Sequence, residues 1–93
     1  MTTIYKWPLH HSDVQILPVP EGTTFLHVAE QNDLLMIWGL CDSDNALEDR
    51  VLAVVGTGNP APREDEARYI GTALMHTGLV WHVFEPIRED EDA

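Results

Sequence analysis

The sequence predicts a mainly β domain, a small antiparallel sandwich or partly closed barrel of about six to seven strands. Three observations predict it. Short segments rich in β-branched and aromatic residues recur along the 93 residues. Turn-forming dipeptides, Asn32-Asp33 and Thr77-Gly78, separate pairs of these segments. No stretch carries the apolar spacing of a long helix. An α+β alternative, with one short helix near residues 63–70, rests on Arg63-Glu64-Asp65-Glu66-Ala67. The length fits a single domain, residues 1–88, that buries about 60 to 65% of its unfolded surface. Residues 89–93 then form an acidic tail, expected to be disordered because it has no apolar partner.

The elements follow in order. Thr2 to Leu9 is rich in β-formers and reads as a short strand whose Pro8 either puts it at a sheet edge or closes it. After a turn at His10, His11 and Ser12, Val14 to Val19 forms a second strand broken by Pro18, and Pro20-Glu21-Gly22 is turn chemistry. Thr23 to Glu30 and Leu34 to Cys41 form a hairpin whose two-residue loop sets His27 opposite Trp38 and Phe25 opposite Leu40. Asp42 to Arg50 lacks strand periodicity and is expected to be a surface loop, with a helical turn capped by Asp44. Val51 to Val55 is an unbroken apolar run, the pattern of a strand covered on both faces and hence central. Tyr69 to His76 and Leu79 to Phe84 form the second hairpin; a two-residue loop sets Leu74 opposite Trp81 and Gly71 opposite Phe84. Both hairpins carry apolar residues on both faces, so either the sheet closes or the spare face meets a partner. A homodimer through a face containing Val80 and Phe84 is expected.

Charge narrows the partners. Sixteen acids oppose five bases, a net charge of -11. Without the four acids of the tail, twelve acids face the same five bases, so the body stands at -7. Such a surface repels nucleic acid and anionic lipid and attracts a basic protein. The single cysteine, Cys41, excludes an internal disulfide, and neither a signal segment nor a bilayer-crossing run is present, so a cytoplasmic location is expected.

Site chemistry is sparse. No hydroxyl or thiol sits in a nucleophile motif, which argues against an enzyme. Of the five histidines, His10 and His11 would diverge in an extended segment, and His76 and His82 point to opposite faces in the two-residue-loop register. No metal or cofactor is therefore expected. Two sets remain as candidates. The acids Asp42, Asp44, Glu48 and Asp49 on one segment, with Glu64, Asp65 and Glu66 on another, are the partner-binding set. Gly56, Thr57, Gly58 and Asn59, with His27 and Trp38, are the ligand-binding set, because glycine-rich backbone can cradle an anion.

The segments IYKWPL, VVGTGNPAP and YIGTALMHTGLVWHVFE together resemble a family of small uncharacterised proteins carried by bacteriophages and prophages. The likeness covers most of residues 3–85 and carries over no site residue. It implies a phage accessory protein in the cytoplasm of a bacterial host. Combined with the acidity, the expected function is non-enzymatic: binding and inhibition of a host protein with a basic surface, such as a nucleic-acid-binding defence factor. A module that sequesters a small molecule or nucleotide, and a structural phage protein, are the alternatives.

Overall fold

The computed structural model describes residues 1–11 and 13–87, so the expectation for the 89–93 tail lies outside the described residues, as does Ser12 of the first turn. Seven strands make two antiparallel sheets: β1 (Thr2–Leu9), β2 (Val14–Pro20), β3 (Thr24–Gln31), β4 (Leu34–Asp42), β5 (Leu47–Gly56), β6 (Ala67–Leu74) and β7 (Val80–Pro86). One sheet has the order β1-β4-β3 and the other β2-β5-β7-β6. Their inner faces share one core, so the molecule is sandwich-like and the barrel is not closed. Prolines sit where donors are not needed: Pro8 lies on edge strand β1, and Pro18 and Pro20 lie on edge strand β2.

The apolar run predicted to be central is central, but it is not covered on both faces throughout. Strand β5 lies between β2 and β7 with Leu52, Ala53 and Val54 buried, while Val51 is exposed and Val55 half-buried on the outer face. Leu35 and Ile37 of β4, Val28 of β3, Val19 of β2 and Val83 of β7 join Leu52 and Val54 as nearly inaccessible side chains. Burying each is worth about 1.5–3 kcal/mol. Two glycines allow close packing around this core. A Cβ at Gly71 would stand 2.9 Å from Val28 Cγ2, so its absence lets β6 approach β3 where the two sheets join. A Cβ at Gly39 would stand 2.8 Å from the Trp7 ring.

Four local expectations are corrected. The second hairpin is shifted by one residue, with Thr72 opposite His82, Ala73 opposite Trp81 and Gly71 opposite Val83. Its loop has three residues, closed by Met75 N–H to Leu79 O at 2.8 Å, with Gly78 at φ 92 in the left-handed position such loops require. A bulge between Tyr69 and Gly71 then brings Tyr69, not Gly71, opposite Phe84. In the first hairpin the two-residue loop is as expected, Asn32 and Asp33 both having positive φ, and His27 does oppose Trp38. A bulge between Phe25 and His27, however, turns Phe25 inward opposite Gly39, so Thr24 takes the place opposite Leu40.

The segment 42–50 is not a loop. Strand β4 runs to Asp42, a tight turn closes through Asn45 N–H to Asp42 O at 3.1 Å, and β5 begins at Leu47. The polar residues Glu48 and Arg50 can occupy a strand because both find partners at the rim of the sandwich. Glu48 accepts the Gly22 N–H, and Arg50 donates to Glu85. Nor is there a helix near 63–70 among the described residues: Glu66 N–H bonds Arg63 O to close a single turn, and β6 starts at the next residue. One turn is too short to propagate a helix.

Candidate functional site

The outer face of the four-stranded sheet is the most exposed apolar surface. Val14, Ala53, Phe84 and Tyr69 pair in one row across all four strands. Beside this row stand Ile16 and Val51 on one side; on the other, the row of Val55, His82 and Thr72 separates it from Val80 and Leu74. Val14 is 65% exposed, Ile16 63%, Tyr69 60% and Leu74 73%. Asp49, which opposes Pro18, is the one acid in these outward positions of β5. Phe84 and Val80, the residues expected to form a dimer face, share this side and are half-buried by their neighbours. The other outer face, on the three-stranded sheet, also exposes Ile4, Leu34 and Leu40, but Lys6 and Gln31 stand among them, bonded at 2.6 Å.

Gly56, Thr57 and Asn59 line a cleft of about 450 Å³ with Gly78, Leu79, Val80 and Trp81. Space at Gly56 is tight, because a Cβ would lie 3.0 Å from the Asn59 amide nitrogen and 3.3 Å from the Trp81 ring, so those side chains would have to give by a few tenths of an ångström. Gly58 has φ 91, a turn conformation that glycine adopts freely. Next to the cleft runs a hydrogen-bonded chain. Thr57 Oγ1 meets His82 Nε2 at 2.7 Å, His82 Nδ1 meets Thr72 Oγ1 at 2.9 Å, and Thr72 Oγ1 meets the Tyr69 hydroxyl at 2.5 Å. Trp81 stacks on His11, with ring centroids 4.9 Å apart, and its buried indole N–H has no hydrogen-bond partner among the described residues. The structure does not bring His27 and Trp38 to this cleft. Their rings lie 5.9 Å apart on the outside of the three-stranded sheet.

The acidic set is gathered at one end. Strands β5 and β6 are both antiparallel to β7, so they run the same way and both begin at that end. The turn after β4 and the approach to β6 therefore lie together, and Glu21 N–H bonds Ala46 O beside them. Most of these acids already have partners within the chain. The Met1 amine meets Asp42 at 2.9 Å and Asp44 at 2.7 Å. The hydrogen bonds it donates to Asp44 and Asp42 raise the pKa of that amine, and the amine in turn lowers that of Asp42. Glu48 accepts from Gly22, and Arg63 pairs with Asp65 at 3.3 Å and Glu66 at 2.9 Å. Asp49 and Glu64 are exposed.

Two ionic clasps sit at opposite ends of the sandwich, one within the four-stranded sheet and one between the sheets, and neither was singled out from the sequence. At the acidic end Arg50 donates to both oxygens of Glu85, at 2.5 and 2.9 Å, and to Thr23 O at 2.8 Å, with its guanidinium 4.8 Å from the Phe25 ring centre. The sequence signal was a lone arginine in an acidic segment and a glutamate closing an apolar strand. At the other end His76, in the loop after β6, bonds Glu30 of β3 through Nδ1 and through its backbone N–H. The hydrogen bond that Glu30 accepts from the His76 ring raises the pKa of His76 and lowers that of Glu30. Asp33 Oδ1 stands 3.4 Å from the same Nδ1.

A family model, Domain of unknown function (DUF7352), matches residues 1–93. The chain belongs to the DUF7352 family. Neither a curated protein nor a solved structure matches it. For this DUF7352 chain, functional argument therefore rests on its own surfaces. No described helix is long and apolar enough to cross a membrane.

Proposed function

We propose that the chain is a non-enzymatic interaction protein of the phage accessory kind, which binds and inhibits a basic host protein in the bacterial cytoplasm. The observation that carries this reading is the outer face of the β2-β5-β7-β6 sheet, where residues from β2 and β6 are more than half exposed and charge is nearly absent. Exposed apolar side chains gathered on one face, here Val14, Ile16, Val51 and Tyr69 with Leu74 beyond the His82–Thr72 row, are the kind of patch that marks a protein contact. The acidic end supplies attraction at longer range. Asp49 and Glu64 are exposed, and the paired acids still outnumber their bases. A nucleic-acid-binding defence factor is a partner class with the required basic groove. Recovery from bacterial lysate of one basic protein, lost with Ile16→Asp plus Leu74→Asp, is the expected result. A partner retained by that double variant would move the contact elsewhere. Without its partner the same face closes on a second copy, and light scattering that shows only a 10.5 kDa species would exclude that dimer.

A second reading is a module that holds a small metabolite or nucleotide in the cleft beside Gly56, Thr57 and Asn59. The lining favours it: apolar Leu79, Val80 and Trp81 stand beside Thr57 and Asn59, a few polar groups in an otherwise apolar cleft. Saturable thermal stabilisation by a nucleotide, absent in Trp81→Phe, is its expected signature.

A further inference from the structure

We propose that Glu30, Asp33 and His76 form a binding site for a divalent transition-metal ion such as Zn2+, which clips the β3–β4 turn to the β6–β7 loop and so ties the two sheets together. The three side chains come from separate elements, 46 residues apart in the case of Glu30 and His76, and converge at one point. One potential ligand atom from each, a carboxylate oxygen of Glu30 and of Asp33 and a ring nitrogen of His76, lies within 4.8 Å of the others. Ligands on a tetrahedral zinc ion with bonds of about 2.0–2.2 Å stand roughly 3.3 Å apart. The Asp33 Oδ1 to His76 Nδ1 separation of 3.4 Å meets that spacing.

The site is also oriented from outside. Glu30 Oε2 accepts the backbone N–H of His76 at 2.7 Å, which fixes the carboxylate so that Oε1 faces the imidazole. Outer hydrogen bonds of this kind position ligands before an ion arrives. On binding, the ion takes the Nδ1 lone pair. Any proton held there leaves to solvent, and the short Glu30 to His76 hydrogen bond is replaced by two bonds to the ion. One imidazole with two carboxylates favours Zn2+, Co2+ or Mn2+ over Mg2+ or Ca2+, which take all-oxygen shells. Three protein ligands leave the remaining coordination to water. Asp33 is 82% exposed at its side chain, so exchange with solvent should be fast. The inference is independent of the apolar face and of any partner.

The test uses untagged full-length protein dialysed against chelator at neutral pH. Zn2+ is titrated by calorimetry and by thermal melting, and Co2+ by visible absorption. Expected are one ion per chain, a saturable rise in Tm with Zn2+ that Mg2+ does not reproduce, and a Co2+ absorption band. Asp33→Asn should weaken Zn2+ binding at least tenfold, and His76→Ala should abolish it. His82→Ala should leave binding unchanged, since that ring is held by Thr57 and Thr72. Asp33→Asn, on an exposed turn side chain, keeps the test decisive if His76→Ala folds poorly. Absence of saturable binding by the wild type, or binding unaffected by both variants, overturns the site.

Discussion

The two clasps differ in what they join and in burial: Arg50–Glu85 pairs β5 with β7 inside one sheet and reaches the other through Thr23 O and Phe25, whereas His76–Glu30 bridges the two sheets. Arg50 and Glu85 keep only 14% and 12% of their side-chain surface, form a two-point bond and carry a backbone carbonyl and an aromatic ring as additional partners. His76 is 59% exposed and shares its ring nitrogen between two carboxylates. Burial makes the first clasp part of the fold, because losing one partner strands a charge away from water. Exposure leaves the second free to exchange its proton for an ion.

The largest expected effect follows from the buried clasp. Arg50→Met leaves Glu85 and Glu48 without their cation and should cost about 2–4 kcal/mol in urea unfolding, with Glu85→Gln restoring part of the loss. Gly71→Ala comes next. Its Cβ would meet Val28 Cγ2 at 2.9 Å, so about 1–3 kcal/mol should be lost and largely recovered by adding Val28→Ala. A Gly71→Ala protein of unchanged stability would mean that β6 and β3 do not meet as described. At the exposed clasp, His76→Ala in chelator-treated protein should leave the urea midpoint within its experimental scatter, while removing the response to Zn2+. The smallest effect belongs to Asp42→Asn with Asp44→Asn. Both groups sit in water beside the chain terminus, so the urea midpoint should not move and only partner capture at low salt should weaken.

Much of the fold was legible because local chemistry and global fold agreed. Asn32-Asp33 demanded a two-residue loop and formed one, and the five apolar residues from Val51 to Val55 lie in the central strand. The failures are local too. Thr77-Gly78 looked like a complete turn, but His76 also belongs to the loop, and that one extra residue slid the whole β6–β7 register. The bulges beside Leu26 and Ile70 have no turn dipeptide to announce them. Glu48 and Arg50 hid a strand, because an inward polar pair is satisfied only by Gly22 and Glu85, which are distant in sequence. The sites were less legible than the strands. That the acids of 42–49 and 64–66 share one end depends on the strand order β2-β5-β7-β6, which no local pattern encodes. The His76 clasp needs the same long-range information, whereas His27 and Trp38 were correctly paired yet lie away from the Gly56 cleft.

The most direct test of the interaction reading compares the two outer faces within one protein. A photo-crosslinking amino acid is placed at Leu74 on the four-stranded sheet or at Leu34 on the three-stranded sheet, both exposed positions, and irradiated in bacterial lysate. The account predicts one discrete adduct to a basic host protein from position 74 and none from position 34. Equal labelling from both positions, or an adduct from position 34 alone, would contradict it.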